Sequence, residues 1–296
     1  MPDICELVVL SGKGGTGKTS LVGALAALGA NQVLCDADVD AADLHLLLAP
    51  RILARHDFYA GHQAVIREDS CLQCRECLDW CRFQAISDDF RVNPLLCEGC
   101  GVCWALCPAV AIDFPENRCG EWFISDTRFG PLVHARLEVA AENSGKLVNL
   151  VRREARQLAE AGGRDWIITD GPPGIGCPVI SSLGGASAVL IVTEPTVSGQ
   201  HDLERVAALA DHFRMPRYIL VNKADLYWPT ARSIRKFCDL KGYHFLGYLP
   251  FTPAFTQAQV EGKTILEYDN NQIKSQLTEL WEKLRKAVQQ INPARP

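Results

Sequence analysis

The sequence predicts an α/β fold: three layers built on a mostly parallel sheet, interrupted by a small α+β insert. Three observations predict it. Residues 7–10 form an apolar run that leads into a glycine-rich loop and then a helix-prone stretch, 21–29. Strand, loop and helix in that order open a parallel α/β unit. Further apolar runs at 32–35, 166–170, 188–194, 218–221 and 245–250 recur with helical stretches between them, the alternation expected of parallel strands. Residues 71–107 break that pattern with eight cysteines in two identical runs. The reading divides the chain into a sheet-bearing domain, 1–61 with 121–296, and an inserted domain, 62–120.

A chain of 296 residues with 48% hydrophobic content is long enough for an ordinary core and about two domains. The net charge of −5 argues against a nucleic-acid-binding surface. Met1 to Glu6 carry no basic segment of the kind that opens a secretory signal, and no apolar run approaches the ~20 residues of a membrane helix. Thirteen cysteines, an odd number, fit disulfide pairing poorly. They point to a reducing cytoplasm and to thiolates used for metal.

The loop Ser11-Gly12-Lys13-Gly14-Gly15-Thr16-Gly17-Lys18-Thr19-Ser20 contains G-x-x-x-x-G-K-[ST] between a strand and a helix, the context of a phosphate-binding loop. Its glycines let backbone N–H groups turn inward on phosphates, and the new helix aims its positive end at them. Lys18 would reach the β- and γ-phosphates, and the Thr19 hydroxyl would ligate Mg²⁺. Asp36 and Asp38 end the second strand and Asp170 ends the run 166–170. Carboxylates there are placed to organise Mg²⁺ and water. Asp40 and Asp43 read instead as first-turn charges of a helix at 41–48. Asn222-Lys223-Ala224-Asp225 follows the strand 218–221 as an N-K-x-D base-reading site, with Pro250 and Phe251 as a wall for the base.

Cys71, Cys74, Cys77 and Cys81 are spaced C-x2-C-x2-C-x3-C, and Cys97, Cys100, Cys103 and Cys107 repeat that spacing in a second run. Ala85-Ile86 stands at the same offset from the first run as Ala111-Ile112 from the second, so the segment is an internal duplication. The spacing is that of bacterial two-cluster ferredoxins, in which the fourth cysteine of each run ligates the other cluster. One [4Fe–4S] cluster would take Cys71, Cys74, Cys77 and Cys107, and the other Cys97, Cys100, Cys103 and Cys81. Two structural zincs are the alternative, but zinc sites pair C-x2-C motifs across a long gap and need no third cysteine at this spacing. Pro108 follows Cys107 as the pattern expects, whereas Arg82 follows Cys81.

Lys13, directly after the first glycine, gives the loop a second lysine. With K-G-G-x-G-K-[ST] the sequence resembles the MinD/ParA/Mrp superfamily, P-loop NTPases with a deviant Walker A motif that include the nitrogenase iron protein. The resemblance implies that residues Gly12 to Ser20 bind ATP and that Lys13 reaches across an ATP-dependent homodimer to the partner's nucleotide. It implies that Asp38 positions or activates the attacking water, with Asp36 near Mg²⁺ and Asp170 holding Mg²⁺ through water. Gly174 would sense the γ-phosphate, and Asn222 would contact adenine. In a related GTPase Asp225 would read guanine instead. Cys177 follows Asp170 at the offset of a cysteine that holds the bridging cluster in the nitrogenase iron protein, but no second cysteine completes that pair.

Several stretches are less informative. Residues 50–61 read as a connector, and 113–132 as the return from the insert, with a strand at 121–125 and a turn at Gly130-Pro131. Cys119 reads as a partly buried thiol. Residues 135–161 read as largely helical, with a break at 143–145 and Asn143 or Ser144 as a cap. Arg152, Arg153 and Arg156 read as a solvated basic face. The last helix, 271–291, puts Ile273, Leu277, Leu280, Trp281, Leu284, Val288 and Ile291 on one face. Its polar face mixes both charge signs, which favours docking on the sheet over lipid binding.

The resulting expectation is a cytoplasmic ATP-hydrolysing iron–sulfur protein. ATP would switch a dimer, coupled to electron transfer through two [4Fe–4S] clusters to an unidentified redox or iron–sulfur partner. One alternative is an ATP-gated scaffold or positioning protein with structural clusters. Another is a cluster carrier like the Mrp scaffolds, whose C-terminal C-x-x-C has no counterpart here because only Cys238 follows Cys177.

Overall fold

The computed structural model describes residues 4–138, 144–268 and 270–291. The chain divides into two compact units: Met1–His56, Trp122–Arg136 and Ser144–Pro296 form one, and Asp57–Glu121 with Leu137–Asn143 form the other.

The first unit opens with β1 (Cys5–Ser11), α1 (Lys18–Leu28), β2 (Gln32–Asp36), α2 (Leu44–Leu48) and β3 (Arg51–His62), which runs on into the second unit. The second unit adds β4 (Val65–Ile66), α3 (Glu76–Asp79), α4 (Val102–Leu106) and β5 (Ile112–Asp113). β6 (Glu116–Thr127) leads back and β7 (Gly130–Leu137) follows. Then come α5 (Ser144–Ala161), β8 (Trp166–Pro173), α6 (Cys177–Leu183), β9 (Ala188–Thr193), α7 (Val197–His212) and β10 (Arg217–Val221). The chain closes with α8 (Trp228–Lys241), β11 (His244–Tyr248), α9 (Ala254–Val260) and α10 (Asn271–Ile291).

The sheet order is β11-β10-β9-β1-β8-β2-β7-β6-β3. Every pair from β11 through β7 runs parallel, as the βα alternation predicts. Alternate residues of each strand face opposite sides, and both sides are covered. Leu7, Val9, Leu34, Ile168, Leu190 and Leu220 pack in one core with residues of α1, α2 and α10. Val8, Leu10, Val189, Ile191, Ile219 and Val221 pack in another with residues of α6, α7 and α8. That is the three-layer α/β fold.

Strands buried on both faces were legible as apolar runs, and so were β11 and the middle of β6; β3, β4, β5 and β7 were not. Residues 50–61, expected as a connector, are mostly β3, which ends the sheet order and is exposed along most of its length. A strand with so little burial carries no hydrophobic alternation to read. The turn expected at Gly130-Pro131 lies two residues earlier, at Arg128-Phe129, and is held by Phe129 N–H on Thr127 Oγ1 at 3.1 Å and Thr127 Oγ1 on Gly130 O at 2.7 Å. Residues 135–137 are strand, and the helix begins at Ser144; the alternative cap, Asn143, lies outside the described residues. Arg152 is buried, not solvated. Its Nε donates to Glu6 Oε1 at 2.7 Å and its Nη1 to the carbonyls of Ser181 and Gly184 at 2.7 and 2.8 Å. From Ile273 to Val288 the face of α10 docks as expected: Leu277, Leu284 and Val288 are fully buried, and Trp281 meets Trp166 edge-on at 5.5 Å; the side chain of Ile291 lies outside the described residues.

In the second unit the sequence repeat is also a structural one. α3 and α4 start at equivalent places in the two runs, one position before Cys77 and one before Cys103. Gln73, Arg75 and Gln84 have positive φ, and so do their counterparts Gly99, Gly101 and Val110. Ile66 pairs with Ile112, and Val92 with Ile86. Val92 is the counterpart of Ile66, and Ile86 that of Ile112, so the two pairs are the same pair made twice. Each half therefore pairs its entering segment with the other half's leaving one. A small core of Ala64, Cys77, Ile86 and Ile112 lies between.

Candidate functional site

The strand register assembles the first site. β1, β8 and β2 lie side by side, with Val9 opposite Asp170 and Asp170 opposite Asp36. Two carboxylates thus stand where β1 gives way to the glycine loop. Gly17 caps α1 with φ 87°, and a Cβ there would lie 2.5 Å from Asn222 Nδ2. At Gly12 a Cβ would lie 2.2 Å from Asp202 Cβ on α7, so the loop packs where only glycine fits. Ser11 Oγ donates to Lys13 O at 2.8 Å, and Gly174 N–H donates to Ser11 O at 2.9 Å.

Lys18 is buried, with Nζ 2.7 Å from Asp170 Oδ1 and 3.2 Å from Asp38 Oδ2. Burial works against its charge, but Asp170, Asp38 and Asp36 prevail and raise its pKa to about 12. Burial raises the Asp36 carboxyl well above the usual range, with Asp170 adding repulsion, and burial also raises Asp38. Asp36 accepts the N–H groups of Asp38 and Leu44, both at 3.1 Å, one on each oxygen. It therefore shapes the loop and the start of α2. Asp170 Oδ2 and Thr16 Oγ1 are buried with no hydrogen-bond partner among the described residues.

Beside this cluster lies a cavity of about 370 Å³, within the size range of small-ligand sites. Gly14, Gly15, Thr16, Gly17, Lys18, Thr19, Ser20 and Asp38 line its floor. Asn222, Lys223, Pro250, Phe251 and Phe255 line its walls. Asn222 is committed on both sides: Nδ2 donates to Thr16 O at 2.8 Å and Oδ1 accepts Lys223 N–H at 3.0 Å. Lys13 Nζ lies 3.3 Å from Glu194 Oε2 and 3.4 Å from the hydroxyls of Thr196 and Ser198. Lys223 Nζ holds the other Glu194 oxygen at 2.5 Å and reaches Gly15 O at 2.9 Å. Glu194 and Phe255 were missed as site residues, and Lys223 was read only as part of the N-K-x-D motif. The only signal in sequence for Glu194 was its position at the end of an apolar run.

The second site lies in the second unit. Cys71, Cys74, Cys77 and Cys107 line one small cavity, and Cys81, Cys97, Cys100 and Cys103 line another. In each, three cysteines come from one run and the fourth from the other. Ala85 N–H points at Cys81 Sγ and Ala111 N–H at Cys107 Sγ, both at 3.3 Å, the same contact in each half of the repeat. Burial raises the Cys77 and Cys103 thiols. Among the described residues no three His, Cys, Asp or Glu side chains converge tightly enough for a single metal ion. Cys119 is separate and buried, donating to Ala60 O at 3.1 Å. Cys177 is exposed at the start of α6. No helix among the described residues is long and apolar enough to cross a membrane.

Comparison with known proteins locates the fold. The family model of the CobQ/CobB/MinD/ParA nucleotide binding domain matches residues 7–265. An uncharacterized protein of Methanocaldococcus jannaschii is 32% identical, covering 96% of this chain and 98% of its own length. The septum site-determining protein MinD of Pyrococcus horikoshii, solved with Mg-ADP, superposes with a TM-score of 0.59 at 17% identity over 97% of this chain and 98% of that one. The MinC:MinD cell division complex of Aquifex aeolicus gives a TM-score of 0.56 at 19% identity, covering 95% of this chain and 96% of the matched one.

Proposed function

The chain belongs to the CobQ/CobB/MinD/ParA nucleotide-binding family, and on that premise we propose that it is an ATP-switched iron–sulfur redox protein. The observation that carries the redox half is the sorting of eight cysteines into two quartets, each around its own cavity and each completed by the other run's last cysteine.

In the nucleotide site, Gly14 to Ser20 cradle the phosphates of ATP and Lys18 supplies the charge that meets them. The donor set fits Mg²⁺: Thr19 offers a hydroxyl, and the buried, unpartnered Asp170 Oδ2 offers a carboxylate oxygen. When bound, Mg²⁺ neutralises phosphate charge. Phosphates compete with Asp38 for the Lys18 ammonium, which frees the Asp38 carboxylate to orient an attacking water. Asp36 acts one step back, through its hydrogen bonds to the Asp38 and Leu44 amides. Asn222 supports the loop from below through Thr16 O, and Phe251, Pro250 and Phe255 provide the apolar wall an adenine needs. Lys13 acts on a second copy of the chain in an ATP-dependent homodimer, and Glu194 holds it until then.

The quartets fit [4Fe–4S] clusters better than zinc by their spacing, since three cysteines at C-x2-C-x2-C are completed by the last cysteine of the other run around each cavity. Cys71, Cys74, Cys77 and Cys107 would hold one, and Cys81, Cys97, Cys100 and Cys103 the other. When bound, each supplies one-electron redox chemistry. The Ala85 and Ala111 amides stand ready to donate to ligand sulfurs, a lever on potential. The partner is an unidentified redox protein.

A second reading, an ATP-gated scaffold with structural clusters, is favoured by the likeness to septum site-determining MinD. Anaerobic reconstitution with iron and sulfide, followed by metal analysis and EPR after reduction, tests the proposal. Two [4Fe–4S] signals per chain support it. Stoichiometric zinc, or no iron–sulfur signal, removes the redox half and leaves the nucleotide half standing.

A further inference from the structure

Arg128 sits in the short turn between β6 and β7 and takes no part in either site. Both strands of that hairpin continue from the first unit into the second. Its guanidinium is heavily engaged. Nη1 donates to Leu48 O and Nη2 to Leu47 O, both at 2.7 Å. These are carbonyls of the last turn of α2, which no intrahelical partner can satisfy. Nε and Nη2 grip both oxygens of Glu267 at 2.7 and 2.8 Å, and Nη2 also reaches Gly262 O at 3.2 Å.

What Arg128 holds are the segments that follow the two walls of the nucleotide cavity. α2 begins at Leu44, whose N–H is fixed by Asp36, the residue that also holds the Asp38 amide. So short a helix moves as a piece, and soon after it the chain enters β3. On the other side α9 lines the cavity through Phe255, Thr256 and Gln259, and Gly262 and Glu267 belong to the stretch after it. A second contact runs in parallel. His45 of α2 stacks on His134 of β7, with rings 5.9 Å apart and 10° from parallel, and Ser125 Oγ of β6 lies 3.0 Å from His134 Nε2.

We propose that Arg128 is a positioning residue that couples the nucleotide cavity to the inserted unit. It clamps α2 and the segment after α9 to the β6–β7 turn, so movement of either wall travels along the strands that enter the insert. The coupling rests on the reading of the cavity as an ATP site, and it is independent of what the cysteines bind. Because coupling is reciprocal, a change in the insert also alters nucleotide affinity.

The test is backbone hydrogen–deuterium exchange of the full chain, read by mass spectrometry, with no nucleotide, with Mg-ADP, and with a non-hydrolysable ATP analogue. In the wild type, nucleotide slows exchange in the loop 11–20 and changes it about 5-fold or more in peptides from 57–121. Arg128→Ala keeps the protection at 11–20, with nucleotide affinity within about 3-fold of wild type, and loses the response at 57–121. Arg128→Lys keeps the charge without the planar fork and retains only part of the response; it serves if the alanine variant does not fold. Equal responses in wild type and both variants overturn the proposal, as does a wild type that binds nucleotide but shows no change at 57–121. A wild type that binds no fluorescent ATP analogue overturns the ATP reading itself, a separate result.

Discussion

Replacing Lys18 by methionine removes the ammonium that lies 2.7 Å from Asp170 and 3.2 Å from Asp38. The rise of its pKa from 10.5 to about 12 corresponds to about 2 kcal/mol of stability at neutral pH. In the wild type that contribution is complete below about pH 10.5 and disappears as the pH climbs towards 12. The substitution costs more than this sum, because it strands buried carboxylates; breaking a buried ion pair from one side costs about 3–5 kcal/mol. The sign of the pH dependence follows from the carboxyls. Asp36 and Asp38 already have raised pKa values, and without Lys18 they rise further. Between the unfolded carboxyl pKa near 4 and that raised value, the native variant binds more protons than the unfolded chain. Its stability therefore increases as the pH falls through that window. Urea unfolding followed by circular dichroism should show the variant about 3–5 kcal/mol less stable than wild type at pH 8 and visibly closer to it at pH 5. A cost under about 1 kcal/mol, equal at both pH values, refutes the argument that this cluster is held by its lysine.

Arg152→Met leaves Glu6 buried with, among the described residues, Arg156 at 3.2 Å and Thr169 at 3.2 Å, and should cost about 3–5 kcal/mol in the same assay. Serine at Cys107 should abolish the same cluster as serine at Cys71, and serine at Cys81 the same one as serine at Cys97, each halving bound iron; EPR of the four variants checks the pairing. Burial, with His45 adding repulsion, lowers the His134 pKa to about 4, so the native state resists the proton that the unfolded chain accepts near 6.5. Its stabilisation is complete above about pH 6.5 and falls away towards pH 4, by roughly 3 kcal/mol. His134→Phe should flatten that part of the acid-stability curve.

How much of this was legible in the sequence depended on burial and on spacing. β1, β2, β8, β9 and β10 announced themselves because their side chains are buried on both faces. β3 did not, because Arg51, Ile52 and Leu53 are all exposed. Residues of the glycine loop could be placed because a spacing rule links them. Glu194 and Phe255 obey no such rule and reach the site only through the fold. The same limit applies to Asp36 and Asn222: their positions in the site were readable, but their hydrogen bonds to nearby backbone were not. The two cysteine runs were legible as a repeat; their crossed grouping came from the two-cluster ferredoxin pattern, and the same grouping lines the two small cavities. Arg152 was misread because its helix face looked solvated, while its partner Glu6 lies far back at the start of the chain.

The most direct test of the central claim, that nucleotide and electrons belong to one machine, is an anaerobic redox titration followed by EPR. It would be run on the reconstituted protein without nucleotide, with Mg-ADP, and with a non-hydrolysable ATP analogue. The account predicts two low-potential [4Fe–4S] signals whose midpoint potentials differ between the nucleotide states. Two signals that titrate identically in all three conditions would contradict it.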